Sequence, residues 1–148
     1  MSLWSSLIAT GAWPSDLLTL GVVDDASKVY PGREPAAHCN RDGEVWLERL
    51  PATNLGSGLQ RIEVLPVNVH FRYPSNPGRK RTGDPLLAVV EAKLEVIRNA
   101  YDGTHRMVGV TGLSNVIHSE AGELEVDDDP DEKGVLDGVV RVTWHAKE

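Results

Sequence analysis

Residues 84–103 read DPLLAVVEAKLEVIRNAYDG, and this stretch decides the fold class. Leu86, Val90, Leu94, Ile97 and Tyr101 recur at spacings of three and four, the period of one helix face, and Leu87 and Val89 widen the stripe. Glu91, Lys93, Glu95 and Arg98 fall elsewhere on the wheel. Asp84 suits an N-cap, Pro85 loses no needed hydrogen bond at the first helical position, and Asp102-Gly103 supplies the stop. At a rise of about 1.5 Å per residue the helix is roughly 25 Å long. Such a stripe has to be buried, and the flanking sequence has the period of strands.

Upstream, Glu44 to Leu50 (EVWLERL) puts Val45 and Leu47 on one side and Glu44, Trp46 and Glu48 on the other. Pro51 to Gly58 reads as a loop, and Gln60 to Tyr73 as a long strand. In that strand Ile62 and Val64 carry one phase, and Val67, Val69, Phe71 and Tyr73 carry the other. Leu65-Pro66 sits at the slip and predicts a bulge. Pro74 to Gly83 (PSNPGRKRTG) reads as a loop. Downstream, strands are predicted at Met107 to Val110, at Leu113 to His118, briefly at Leu124 to Val126, and at Val139 to Ala146. In the last, Val140, Val142, Trp144 and Ala146 face one way and Val139, Arg141, Thr143 and His145 the other. No Gly-rich turn joins a strand to a helix and no strand–helix alternation repeats, which argues against a doubly wound dinucleotide fold. The expected class is α+β, an antiparallel or mixed sheet with one long amphipathic helix packed on one face.

The chain of 148 residues suits one domain, 1–148, with an irregular N-terminal segment or arm at 1–42 and an α+β core at 43–148. Pro14, Gly21, Pro31, Gly32 and Pro35 break up the first forty residues; Ser2 to Ile8 and a stretch capped by Ser15-Asp16 are the candidate short helices there. With 15 Lys+Arg against 22 Asp+Glu, the net charge of -7 excludes a protein that coats nucleic acid through bulk basicity. No apolar run reaches the length of a membrane-spanning helix, and no basic residue precedes the apolar start, so neither membrane association nor a secretory signal is expected.

Chemistry-bearing residues are few. Cys39 is the only cysteine, which points to a reducing compartment, and its neighbour His38 points away from it in an extended chain. No GxSxG elbow supports a triad from Ser15, Asp16 and His38. The histidines, His38, His70, His105, His118 and His145, are scattered and no HExxH occurs. His70 and His145 alternate with apolar neighbours and are expected on the solvent or interface face. No catalytic, cofactor-binding or metal-binding residues are assigned, and no enzymatic activity is expected. Asp127, Asp129 and Asp131 have calcium-loop spacing, but Glu132 stands where glycine is needed and Gly138 where the bidentate Glu is needed. The interaction candidates are the basic run Arg79, Lys80 and Arg81, the acidic run Asp127, Asp128, Asp129, Asp131 and Glu132, and Trp46. Each run has the bland alternative of a solvated loop. Together they allow copies of the chain to pair head to tail and close into a ring. Trp144 is expected in the core, whereas an exposed Trp46 would mark a protein contact.

From Glu44 to Ala146 the chain resembles the small tail terminator proteins of long-tailed, siphovirus-type bacteriophages. The order of parts carries the resemblance: EVWLERL, the long strand RIEVLPVNVHFRYP, a Gly-Asp-Pro loop, the amphipathic helix, a strand, an acidic turn and the final strand GVVRVTWHAKE. It implies a homo-oligomer, a hexameric ring that caps the tail tube and offers a docking surface to the neck or connector protein. DNA would pass through the lumen without specific binding. The place implied is the virion tail or neck, with assembly in the host cytoplasm. The Pro/Gly-rich start departs from relatives that begin with a clean helix. The alternatives are another neck or head-completion protein, and a small ligand-binding α+β domain with an apolar pocket.

Overall fold

A computed structural model describes residues 2–9, 11–32, 43–56, 61–74, 85–103, 115–126 and 135–147. The fold is α+β. Helices α1 (Leu3–Ala9) and α2 (Ala12–Thr19) precede a short 3-10 turn at Ala26–Lys28 and strand β1 (Val29–Pro31). Then follow β2 (Glu44–Arg49), β3 (Thr53–Leu55), β4 (Ile62–Pro74), α3 (Pro85–Tyr101), β5 (Val116–Val126) and β6 (Val135–Lys147). The six strands form one mixed sheet in the order β1-β2-β4-β6-β5, with β3 also on β4. Among the described strands, only the β1–β2 pairing is parallel.

The two long strands β4 and β6 form the spine, paired without a break from Ile62↔Lys147 to Pro74↔Val135. Leu65, Val67, Val69 and Phe71 of β4 and Val140, Val142, Trp144 and Ala146 of β6 are all buried on one face. Val90, Leu94, Ile97 and Tyr101 of α3 are fully buried against it, so the helical stripe meets the strand stripe as its period requires. Gly138 of β6 permits the close approach: a Cβ there would lie 2.5 Å from Leu94 Cδ1 and 2.9 Å from Val90 Cγ1. The helix stops where Gly103, at φ 65, turns the chain and donates its N–H to the Ser119 carbonyl.

Several expectations need correction. Pro51 to Gly58 is not all loop, since Thr53–Leu55 pairs with β4. The bulge expected in the strand at Leu65-Pro66 is absent from the β4–β6 ladder. The interruption lies on the other side, between the end of β2 and the start of β3. Pro66 accepts from the Leu50 N–H there, so its missing donor faces that gap and leaves no unmet bond to β6. The two segments read as Leu113 to His118 and Leu124 to Val126 belong to a single strand, β5, with irregularities between Val116 and His118 and between Ala121 and Leu124. The strand expected at Met107 to Val110 and the cap Asp84 lie outside the described residues.

In the N-terminal segment, α1 falls on the stretch read as a short helix, Ser2 to Ile8, and α2 starts at Ala12, ahead of the cap read at Ser15-Asp16. Leu3, Leu7, Trp13 and Leu17 of α1 and α2 join the same core. Pro14 is tolerated because it falls in the first turn of α2, where its N–H would have no partner within the helix. Trp13 sits edge-on to Trp144 at 5.0 Å and to Tyr101 at 6.0 Å, tying the N-terminal helices to α3 and β6. Asp16 does not cap α2, which begins at Ala12; its Oδ2 accepts from the Tyr101 hydroxyl at 2.7 Å.

Candidate functional site

The helices cover one face of the sheet, and the functional question concerns the other. Strand alternation sends Glu44, Trp46 and Glu48, then Asn68, His70 and Arg72, then Asp137, Val139, Arg141, Thr143 and His145 to that second face. From β5 it receives His118, Glu120 and Glu125, the cross-strand partners of His145, Thr143 and Val139.

The centre of this face is His70. Its Nε2 lies 3.0 Å from Glu48 Oε1 and its Nδ1 3.3 Å from Asp137 Oδ2. Burial disfavours the imidazolium, but the bonds to Asp137 and Glu48 outweigh it and hold the His70 pKa above its ordinary value. The bonds from His70 and Asn68 hold the Glu48 carboxyl below its ordinary value. Asn68 donates to Glu48 at 3.0 Å and accepts from Arg141 Nε at 3.1 Å, extending the network across three strands. The Trp46 ring stacks on His70 at a centroid distance of 4.3 Å.

Glu44 and Arg72 are cross-strand partners and are buried, at 3% and 2% exposure. The Tyr30 hydroxyl donates to Glu44 Oε1 at 3.3 Å. Sequence alternation set Glu44 on the side away from Val45 and Leu47, where strand β1, which that reading did not include, brings Tyr30 against it. A second cluster lies toward the β5 edge. His118 and His145 face each other across β5 and β6 with their rings parallel, 4.3 Å apart, and Glu120 lies beside His118. The reading of the histidines as scattered fails here, because their proximity depends on strand register and not on sequence spacing.

Of the sequence candidates, Trp46 is on this face but half-buried, its ring occupied by His70. Arg79, Lys80, Arg81, Asp127, Asp128, Asp129, Asp131 and Glu132 lie outside the described residues, as do His38, Cys39 and His105. His70 and His145 sit on the face expected for them, and Trp144 is in the core. One cleft, about 570 Å³, runs between α2, α3 and β4 past Val22, Asp24, Phe71, Tyr73 and Val89; its Lys93 amine is occupied by the Gly21 carbonyl at 2.5 Å and Asp24 pairs with Lys28 at 2.7 Å. Its two charged side chains are thus engaged within the chain, and the remaining walls are mostly apolar.

The arrangement is thus an α+β fold with helices on one face of the sheet and a polar, hydrogen-bonded surface on the other. A chain in the solved virion of a native gene transfer agent particle shares this fold: TM-score 0.60 over 99% of this chain and 96% of that one, at 9% identity. No family model matches the sequence, and no curated protein matches it.

Proposed function

We propose that this chain is a structural protein of a phage-like virion, and within that class the tail terminator. The subunit forms a homo-oligomeric ring, hexameric in this reading, that caps the tail tube and presents a surface to the neck or connector protein. DNA passes through the lumen without base-specific contacts. The chain acts through assembly and performs no catalysis; it works in the virion and assembles in the host cytoplasm.

The observation that supports this reading best is the end-to-end likeness to a gene transfer agent virion chain, which spans nearly all of both chains. The order of elements from Glu44 to Ala146 supports it independently of that likeness. Both outer strands of the sheet, β1 and β5, have an edge without a strand partner among the described residues, and ring closure is one way to cover such edges. The basic run Arg79 to Arg81 and the acidic run Asp127 to Glu132 give the chain complementary charges for a head-to-tail contact.

The test is tube polymerisation. Tail-tube protein assembled with the purified chain should give shorter tubes with extra density at one end in negative-stain images. Unchanged tube lengths with bare ends would contradict the terminator role. The virion likeness also fits a neck or head-completion connector, and binding to connector rings but not to tube ends would select it.

A further inference from the structure

We propose that His118, Glu120 and His145 form a binding site for an imidazole-preferring divalent metal ion, with Zn²⁺ the expected occupant. The inference stands apart from the virion reading. The three residues each offer one ligand atom, and these atoms lie within 4.8 Å of one another. Tetrahedral zinc with bonds of about 2.0–2.1 Å sets its ligand atoms about 3.4 Å apart. His118 Nε2 and Glu120 Oε1 are already 3.4 Å apart.

The backbone fixes the set. His118 and His145 are direct partners in the antiparallel ladder, so both imidazoles leave the same face at the same level. Their rings stack at 4.3 Å with planes 11° from parallel, so the in-plane lone pairs run side by side and one ring must turn about its χ angles for both to share an ion. Glu120 follows two residues along β5 and therefore shares that face. The side chains keep room to close on an ion, since His118 is 32% exposed and Glu120 61%.

Glu120 supplies the negative charge, and Lys147, two residues past His145 on the same face, opposes it. Two imidazoles and one carboxylate suit zinc, nickel, copper or cobalt better than calcium or magnesium. Three protein ligands leave a position open for water or for a donor from outside the chain.

The experiment uses the full chain without an affinity tag, titrated with Co²⁺ and followed by its visible absorption, then with Zn²⁺ by calorimetry. One ion per chain is expected. His118→Ala and His145→Ala should each weaken binding by about 100-fold, and Glu120→Gln by about tenfold. Arg98→Ala, on the helix side of the sheet, should bind as the wild type does. Ring nitrogen resonances of the unmutated chain are the second readout, with those of His118 and His145 expected to shift on adding Zn²⁺. Binding that survives both histidine variants, Zn²⁺ shifts confined to other histidines, or no binding at millimolar metal would each overturn the site.

Discussion

His70 shows how one residue acquires its properties from strands far away in sequence. Its two carboxylate partners come from β2 and β6, and a tryptophan covers its ring. The raised pKa of His70 means that its contribution to stability is fully present below its unfolded value of about 6.5 and is lost as pH rises through the folded value. The lowered pKa of Glu48 gives a contribution present above its unfolded value of about 4.5 and lost as pH falls through the folded one. The network is therefore strongest between these limits. Titration of the His70 ring by NMR should give a midpoint above 6.5, and Glu48→Gln should lower it. The urea midpoint lost on His70→Gln should be largest near pH ~5.5 and shrink on the alkaline side. A loss independent of pH would mean that stacking on Trp46, and not charge, is what His70 contributes.

Packing is decided at the scale of elements, and two contacts there are open to test. Gly138→Ala places a methyl into Leu94 and Val90, so α3 must shift from β6. The expected cost is about 1–3 kcal/mol by chemical denaturation, as for other overpacked cores. Gly122→Ala is the control, because its Cβ would meet nothing nearer than the Arg141 carbonyl at 3.8 Å. Trp13→Ala removes the ring between Tyr101 and Trp144 and should cost about 3–5 kcal/mol. A loss well under 1 kcal/mol would return residues 1–42 to the status of a detachable arm.

The same elements show what the sequence could and could not reveal. Helix α3 and strand β6 were legible because each repeats its apolar residues long enough to fix a period. Helix α1 coincides with the candidate Ser2 to Ile8, whereas α2, eight residues long with Pro14 in its first turn, begins at Ala12 and not at the cap read from Ser15-Asp16. Strands β1 and β3 have three residues each, which no alternation can reveal. The candidate site was less legible still. Trp46 and the outward faces of His70 and His145 could be read from alternation. The pairs His70–Asp137, Glu44–Arg72 and His118–His145 depend on which strands are neighbours and in what register, and a single sequence does not encode that openly.

The whole molecule has a helical layer on one face of its sheet, a polar second face and a net charge of -7. If opposite charges at 79–81 and 127–132 guide contacts between copies, association weakens as salt shortens the screening length from about 10 Å at 0.1 M to about 3 Å at 1 M. The most direct test of the central claim is the mass in solution by light scattering, alone and mixed with purified tail tube. The proposed terminator role predicts six copies of the 16.1 kDa chain in one particle, formed either freely or only on tube ends. A 16.1 kDa monomer that ignores tubes at every concentration would contradict it.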